Sequence, residues 1–303
     1  MSHSMKEMPG QGFVIESKGF ELELGIAGVE SLFFHERVVH GLLEDLMAEL
    51  SKCGILKNPV IIDRNNIVLD GNHRAFAFKK LGLRFIPTCK VDYFHRDIRL
   101  RYWFRLLRGV DSLIMVRARI EEAGGTLWEV ANIETLEDKM KENPYSWGIQ
   151  KGHSFACVLF DGDRVSDAVS AYDTLEGIQG KLKQRGVELE YIPCSRVHEE
   201  GFSVSLRDDE LVILTPLITK EMVVEAVKAG KTFAPKSTRH LIPVRPVNVN
   251  TPIGWFEEDI SLEEMKGRFK ALLESKGLLR LEPGHEFQGR VYDEALLVFR
   301  DEI

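Results

Sequence analysis

The sequence predicts an α+β protein of two domains. Its 303 residues are too many for one small domain and suit two. Short apolar runs with the spacing of strands alternate along the chain with segments whose apolar residues recur at helical spacing. The chain has no internal repeat and no low-complexity segment. We place the first domain at residues 1–108 and the second, an α/β domain, at residues 109–303.

The composition is that of a soluble globular protein, with 44% hydrophobic and 29% charged residues. A formal net charge of -7 argues against a protein that coats nucleic acid, because duplex binding needs a dominant basic face. No run approaches the roughly 18 apolar residues that a membrane span needs. The N-terminal "MSHSMKEMPGQG" lacks an apolar signal core. We therefore expect a cytoplasmic protein without a membrane partner.

The four cysteines predict neither a disulfide framework nor a zinc site. They are widely separated along the chain and form no CxxC pair: Cys53, Cys89, Cys157 and Cys194.

The first domain is predicted to contain strands at "GFVIE", "FELELGI", "NPVIID", "NIVLD" and "FIPTCKVDY". The segment "HERVVHGLLEDLMAELSKCG" has helical spacing, and Gly54 is a suitable end for that helix. Five apolar residues fall on its inner face: Val39, Leu43, Leu46, Met47 and Leu50. A second helix follows "NIVLD" and ends at Gly82.

The second domain alternates predicted strands and helices. "HSFACVLFDGD", "VELEYIP", "DELVILTP" and "ALLVF" read as strands. "TLEGIQGKLKQRG", "KEMVVEAVKAGK" and "SLEEMKGRFKALLESKG" read as helices. Residues 233–256 form a polar stretch punctuated by prolines.

The junction "IVLDGNHRAFAFKKLG" admits two interpretations, an anion site or an ordinary capped helix start. The first N–H groups of a helix lack partners within it, and the helix dipole adds about half a positive charge there. Gly71 lets an anion approach that backbone, and His73 and Arg74 add donors, which suits phosphate. Asp70 could cap the helix, bind a divalent cation or polarise a hydroxyl.

Glu36, beside His35 at a predicted helix start, is the second candidate. A carboxylate there usually satisfies the helix dipole, and general-base catalysis is the alternative.

The loop "PKSTRH" is the third candidate. Pro235 and Pro243 stiffen it, and it concentrates hydroxyl, cationic and imidazole groups at Lys236, Thr238, Arg239 and His240. Such a loop can hold a carboxylate or phosphate by charge-assisted bonds, although a solvated basic loop is the plainer alternative. Trp103 lies in a basic segment, where it either lines a pocket or anchors packing between the domains.

The order of these groups resembles one family. "HERV", "LKNPVIID", "VLDGNHRAFAFKKLG" and "IPTCKVDY" look like the ParB/sulfiredoxin-type nucleotide-binding domain, which has a mixed sheet and helices. The later "EAVKAGKTFAPKSTRHLIPVRP" is similar to the C-terminal signature of the free L-serine kinases within that superfamily. The resemblance covers about residues 20–105 and 217–256 and leaves residues 110–215 unmatched.

That resemblance implies a kinase that converts free L-serine to O-phosphoserine, with ADP or ATP as donor and Mg²⁺. Glu36 matches the general base, and Asp70 lies beside the reacting centre with Mg²⁺ expected near it. The phosphate motif comprises Gly71, Asn72, His73 and Arg74. Asn72 departs from the family, which has histidine there, and an amide donates a hydrogen bond but cannot titrate.

The resemblance further implies that Trp103 and the triplet of Thr238, Arg239 and His240 hold the amino acid, with Lys236 beside them. The active site would be a cleft between the two domains. Whether O-phosphoserine feeds cysteine synthesis or a specialised pathway stays open, as does the oligomeric state.

Three alternatives compete with this interpretation. A ParB-type nucleotide-dependent DNA-binding regulator would need a helix-turn-helix after the first domain and a basic surface. A sulfiredoxin-like reductase would need a cysteine in the phosphate motif, which has none. A kinase of the same architecture acting on another small hydroxyl compound is compatible with every motif, because an arginine that binds carboxylate does not specify serine.

Overall fold

The computed structural model describes residues 5–6, 13–193 and 206–301. Cys194 lies outside these residues. The chain forms two compact units. Unit 1 contains residues 1–99 and 240–303, and unit 2 contains residues 100–239.

The described residues contain seven α-helices, numbered here in chain order: α1 His40–Cys53, α2 Asn72–Lys80, α3 Leu113–Glu122, α4 Ile133–Glu142, α5 Ala168–Lys183, α6 Lys220–Lys228 and α7 Leu262–Glu274. Short 3₁₀ turns cover Val29–Ser31 and Ile253–Glu257.

The strands of the N-terminal part are β1 Met5–Lys6, β2 Phe13–Ser17, β3 Phe20–Gly28, β4 Phe33–Phe34, β5 Ile55–Leu56, β6 Val60–Asp63, β7 Ile67–Asp70, β8 Phe85–Val91 and β9 Arg99–Arg101. Those of the middle part are β10 Trp103–Arg108, β11 Gly125–Val130, β12 Trp147–Lys151, β13 Ser154–Phe160, β14 Glu188–Pro193 and β15 Glu210–Leu214. The last are β16 Arg239–Leu241, β17 Val244–Val247, β18 Thr251–Pro252, β19 Lys276–Leu281, β20 Glu286–Phe287, β21 Arg290–Val291 and β22 Ala295–Asp301.

Unit 1 is built on a mixed seven-stranded sheet with the order β1-β2-β3-β8-β6-β7-β4. The pairs β6–β8 and β4–β7 are parallel, and the other described pairs are antiparallel. Strand β7 is buried at its first three residues, Ile67, Val68 and Leu69, and ends at Asp70. The sheet therefore carries Asp70 to the point where α2 begins. This is the mixed sheet with helices that the sequence predicts for the first domain.

The C-terminal segment belongs to unit 1, whereas the sequence analysis assigned it to the second domain. Helix α7 packs against β3, and it buries Met265, Phe269 and Leu273. Strands β17, β22 and β19 form a three-stranded sheet in which β17 and β22 run parallel. Strand β18 pairs with β5. The apolar faces of residues 240–303 thus complete unit 1. A local sequence pattern predicts that such a face is buried but does not show which part of the chain it packs against.

Unit 2 is a six-stranded sheet with the order β11-β13-β12-β15-β10-β14. All its neighbouring strands pair antiparallel. Trp147, which is fully buried, packs in a core with residues of α3 and α5. This unit contains the segment that the family resemblance leaves unmatched.

Most of the strongly periodic segments form the predicted elements. Helix α1 buries Leu43 and Leu50 and ends at Gly54, whose φ of 63° is left-handed. Helix α5 begins earlier than expected, at Ala168, because Asp167 caps it. Helices α3 and α4 were not predicted, although Ser112 and Asn132 cap them.

No helix in the described ranges combines the length and apolar character that crossing a membrane requires. Cys89 and Cys157 are buried free thiols, and Cys53 is an exposed one.

Candidate functional site

The turn between β7 and α2 is built around Gly71. This residue is the N-cap of α2 with a φ of 93°, a conformation that side chains disfavour. A Cβ added there would lie 2.7 Å from Nη2 of Arg74. Gly71 is therefore required both by the backbone and by the arginine that folds over it. The first N–H groups of a helix have no partner within it, and a helix start of this kind is a typical anion site.

Asp70 is not the N-cap residue of α2, a position that Gly71 occupies. Its Oδ2 instead accepts a hydrogen bond from Arg74 Nη2 at 2.8 Å and lies 3.1 Å from Arg245 Nη1. Both contacts end on Oδ2, and neither engages Oδ1. Two guanidinium groups thus fix the carboxylate and leave its second oxygen directed elsewhere.

The charge state of Asp70 follows from this arrangement. Burial raises the pKa of the carboxyl, but Arg245 and Arg74 outweigh burial and lower it to about 2. The carboxylate is therefore ionised at neutral pH and is available to a cation or a hydroxyl proton.

Arg74 makes three contacts in addition to the cover it gives Gly71. Its Nη1 donates to the carbonyls of Asn58 and Pro59, each at 2.7 Å, and its Nη2 donates to Asp70. The guanidinium is mostly buried, with 19% of the side chain exposed. In this structure the arginine orders the motif as well as adding positive charge to it.

Asn72 and His73 occupy the first turn of α2. Nε2 of His73 accepts a 3.2 Å hydrogen bond from the backbone N–H of Val39, which ties α2 to the start of α1. Oδ1 of Asn72 is buried without a hydrogen-bond partner in the described part of the chain. A buried polar atom without a partner is costly, and a ligand would relieve that cost.

Glu36 lies four residues before α1, on an isolated β-bridge, and not at the start of a helix as predicted. Its side chain is partly buried. It therefore does not serve to satisfy the dipole of α1, which removes the plainer of the two explanations for this carboxylate.

His240 belongs to unit 1 and is buried, with 4% exposed. Its Nε2 and the Tyr93 hydroxyl share a 2.8 Å hydrogen bond, and its ring packs edge-on against that of His35. Burial lowers the pKa of His240 well below its usual value, and His35 and Arg245 lower it further. His240 is thus a neutral interior group of unit 1, whereas Arg239, the residue before it, belongs to unit 2.

The other predicted acceptor residues are grouped in unit 2. Trp103 Nε1 donates a 3.1 Å hydrogen bond to the Thr238 carbonyl. Lys236 Nζ lies 4.9 Å from the centre of the Trp103 ring, and Arg239 Cζ lies 5.6 Å from it. Both distances are in the range of cation–π contacts. The "PKSTRH" loop and the start of β10 therefore form one cluster of cations around an indole.

The buried positions of this loop explain how it is fixed. Ser237 is fully buried, and its hydroxyl donates to the Ala234 carbonyl at 2.7 Å. The Tyr172 hydroxyl donates to the Ser237 carbonyl at 3.3 Å. Lys236 has a left-handed φ of 61°. The loop is thus anchored inside unit 2 and is not the solvated basic loop that the sequence also allowed.

Arg245 and Glu294 adjoin Asp70 and His240 but were not predicted from the sequence. Arg245 lies in β17, and its Nε donates to Glu294 Oε1 at 2.9 Å while its Nη2 donates to the His240 carbonyl at 2.8 Å. The one available signal was an arginine between two buried apolar strand positions in "PVRPV", which implies an internal partner.

At this junction a metal ion would have one protein ligand, the carboxylate of Asp70. Among residues 13–193 and 206–301, no group of three or more His, Cys, Asp or Glu side chains is placed to hold a metal. Mg²⁺ is commonly bound through one or two carboxylates together with substrate phosphates. Asp70, with Oδ1 not engaged by the arginines, fits a Mg²⁺ ion that arrives with a nucleotide.

Comparison with known proteins gives a consistent result. No protein-family model matches the chain. The ATP-dependent L-serine kinase of Staphylothermus marinus is 28% identical over 236 residues, covering 74% of this chain and 88% of that kinase. The ADP-dependent L-serine kinase of Thermococcus kodakarensis is 27% identical over 236 residues, covering 76% and 88%.

The fold agrees with these sequence matches. A free serine kinase variant solved in complex with ADP superposes with a TM-score of 0.63 and 22% identity, covering 77% of this chain and 93% of that one. The sequence matches thus extend over most of each L-serine kinase, and the fold of this chain is similar to that of a free serine kinase.

Proposed function

We propose that this protein is a kinase that transfers a phosphoryl group from ADP or ATP to the hydroxyl of free L-serine. The observation that carries the proposal is the junction of β7 and α2, where an ionised Asp70 adjoins a helix N-terminus opened by a left-handed glycine. Phosphoryl transfer chiefly requires positioning and the neutralisation of charge on the phosphoryl oxygens, and this junction is suited to both.

The donor phosphates bind at the N-terminus of α2. The N–H groups that follow Gly71 receive the phosphate oxygens, and the side-chain NH₂ of Asn72 is a further donor in the same turn of α2. Arg74 contributes positive charge next to them. The relatives named above are called ATP-dependent in one case and ADP-dependent in the other, so both nucleotides are candidates.

Glu36 accepts the proton of the serine hydroxyl as the new P–O bond forms. A hydroxyl is a poor nucleophile, and a carboxylate base assists it. The position of Glu36 outside α1 supports this role, because the helix dipole does not account for it. Asp70 would hold a Mg²⁺ ion that accompanies the nucleotide, and that ion would offset negative charge on the phosphates.

The cluster around Trp103 in unit 2 binds the amino acid. Arg239 pairs with the substrate carboxylate by charge-assisted hydrogen bonds. Thr238 and the neighbouring Lys236 also bind the amino acid. The indole restrains both cations by contact with its face. His240 is a structural residue in the interior of unit 1 and does not contact the substrate. A cytoplasmic location stays a prediction.

The test is a phosphoryl-transfer assay with purified protein, Mg²⁺ and either ADP or ATP against a panel of hydroxyl compounds. We expect O-phosphoserine from L-serine and a much lower rate with D-serine, threonine and serine methyl ester. The ester lacks the carboxylate that Arg239 would bind. A protein that forms no O-phosphoserine with either nucleotide would contradict the proposal.

The same panel identifies a kinase for another hydroxyl compound, which would show a higher rate with that acceptor than with serine. The ParB-type alternative receives no support from the residues after β10, where α3 leads directly into strand β11 and not into a second helix.

A further inference from the structure

The C-terminal strand reaches the phosphate motif through one arginine. In the parallel pair of β17 and β22, Val244 faces Ala295 and Arg245 faces Leu296. This register brings Glu294, the residue before β22, beside the guanidinium of Arg245. Glu294 is buried, with 7% of its side chain exposed, and Arg245 is nearly as well covered, at 15%.

Each nitrogen of the Arg245 guanidinium has a different acceptor. Nε donates to Glu294, Nη2 donates to the His240 carbonyl, and Nη1 lies 3.1 Å from Asp70 Oδ2. A guanidinium is planar and rigid, so three contacts fix both its position and its plane. The orientation of the Asp70 carboxylate is thereby linked to Glu294.

We propose that Glu294 and Arg245 are positioning residues that hold the Asp70 carboxylate in the orientation needed to engage the Mg²⁺-nucleotide. This inference rests on the proposed function for the identity of the ligand. Neither residue touches the substrate. Glu294 acts only through Arg245, and Arg245 acts only through Asp70.

Glu294→Gln is the decisive variant, because a positioning role and a purely electrostatic role of Glu294 predict opposite changes in nucleotide affinity. Glutamine keeps the size of the side chain but removes a negative charge near a phosphate site. Long-range electrostatics alone would therefore tighten nucleotide binding. A positioning role predicts weaker binding instead, since a neutral amide acceptor holds the Arg245 guanidinium less firmly than a carboxylate does.

The experiment measures nucleotide affinity by calorimetric titration with Mg²⁺ and no serine, and turnover in parallel. We expect Glu294→Gln to raise the Kd for the nucleotide threefold to tenfold and to lower kcat by a similar factor, with the KM for serine within twofold of the wild type. Arg245→Met should show larger changes of the same kind. Arg245→Lys, which restores one contact, should lie between them.

Two further results separate positioning from general damage. The double variant Glu294→Gln with Arg245→Met should be no worse than Arg245→Met alone, because Glu294 acts through Arg245. Lys276→Met is the matched control. It breaks a 2.7 Å ion pair with Asp301 in the same three-stranded sheet and should leave nucleotide affinity and kcat within twofold.

An unchanged or lower nucleotide Kd in Glu294→Gln would overturn the inference. Independent, additive effects of the two substitutions would also overturn it. A wild-type protein that binds nucleotide but phosphorylates no acceptor would contradict the proposed function instead, and the nucleotide titrations would still decide the roles of Glu294 and Arg245.

Discussion

The imidazole rings of His35 and His240 lie perpendicular to each other, with centroids 5.1 Å apart, in the interior of unit 1. His35 Nδ1 donates to the Val68 carbonyl at 2.6 Å, and a hydrogen bond to the Leu69 backbone holds His240. Both histidines thus fasten strand β7, which ends at Asp70. Burial lowers the pKa of His35 and of His240, so both rings are neutral.

The first prediction concerns the free energy of unfolding as a function of pH. Above pH 6.5 these histidines are neutral in both the folded and the unfolded chain. Below pH 6.5 the histidines of the unfolded chain bind protons, whereas the buried histidines of the folded chain do not. The free energy of unfolding therefore falls as the pH falls, by at most about 1.4 kcal/mol per pH unit for each histidine. Urea denaturation at pH 7.5, 6.5 and 5.5 measures this slope.

His240→Gln should reduce the slope, whereas His40→Gln, which alters an exposed histidine at the start of α1, should leave it unchanged. Equal slopes in His240→Gln and the wild type would contradict the assignment.

The second prediction concerns Gly71→Ala. A left-handed φ costs a residue with a Cβ about 1–2 kcal/mol, and here the Cβ would also displace the Arg74 guanidinium. We expect lower stability together with at least a tenfold loss of nucleotide affinity, measured by denaturation and by titration. Gly54→Ala is the matched control, because Gly54 is left-handed with no atom within 4 Å of the added Cβ. It should lose stability alone, and equal affinity losses in the two variants would refute the specific role of the turn.

The third prediction concerns Glu36→Gln. The amide is isosteric but cannot accept a proton, so kcat should fall by about 10²–10⁴-fold. The affinities for nucleotide and serine should stay close to those of the wild type, because the proton moves only during the transfer. Steady-state kinetics and titration test this. Glu44→Gln, at an exposed position of α1, is the control, and an unaffected kcat in Glu36→Gln would remove the residue from the role of base.

The fourth prediction concerns Arg239→Ala. Loss of a charge-assisted pair with the substrate carboxylate should raise the KM for serine by about 10–100-fold and leave the KM for nucleotide within about twofold. Arg239→Lys should recover part of the loss, since it keeps the charge but not the forked geometry. Arg117→Ala, on the surface of α3, provides the control. A change confined to the nucleotide KM would place Arg239 on the donor side.

The sequence predicts the elements best where local signals agree. The helix ending at Gly54 and the turn at Gly71 each have an apolar pattern and a residue that permits a left-handed backbone. Helices α3 and α4 escaped prediction because charged residues interrupt their apolar spacing. Their caps, Ser112 and Asn132, are weak signals without a strong periodic run behind them.

The sequence proposes residues for the candidate site but does not give their arrangement. Arg239 and His240 are adjacent in the sequence and were grouped together, but successive side chains of an extended strand point to opposite faces. His240 therefore enters the core of unit 1 while Arg239 stays with Trp103. The contacts of Asp70 with Arg245 and of Arg245 with Glu294 join distant parts of the chain, and no local pattern encodes them.

The discontinuity of unit 1 has a consequence for synthesis on the ribosome. Unit 2, formed by residues 100–239, is complete before the segment that covers β3 has been translated. Domains generally fold in the order in which they emerge. Here we expect unit 2 to fold first. The apolar surface of the earlier strands of unit 1 then stays exposed until α7 has been synthesised. Nascent chains stalled before residue 262 should therefore depend most strongly on chaperones.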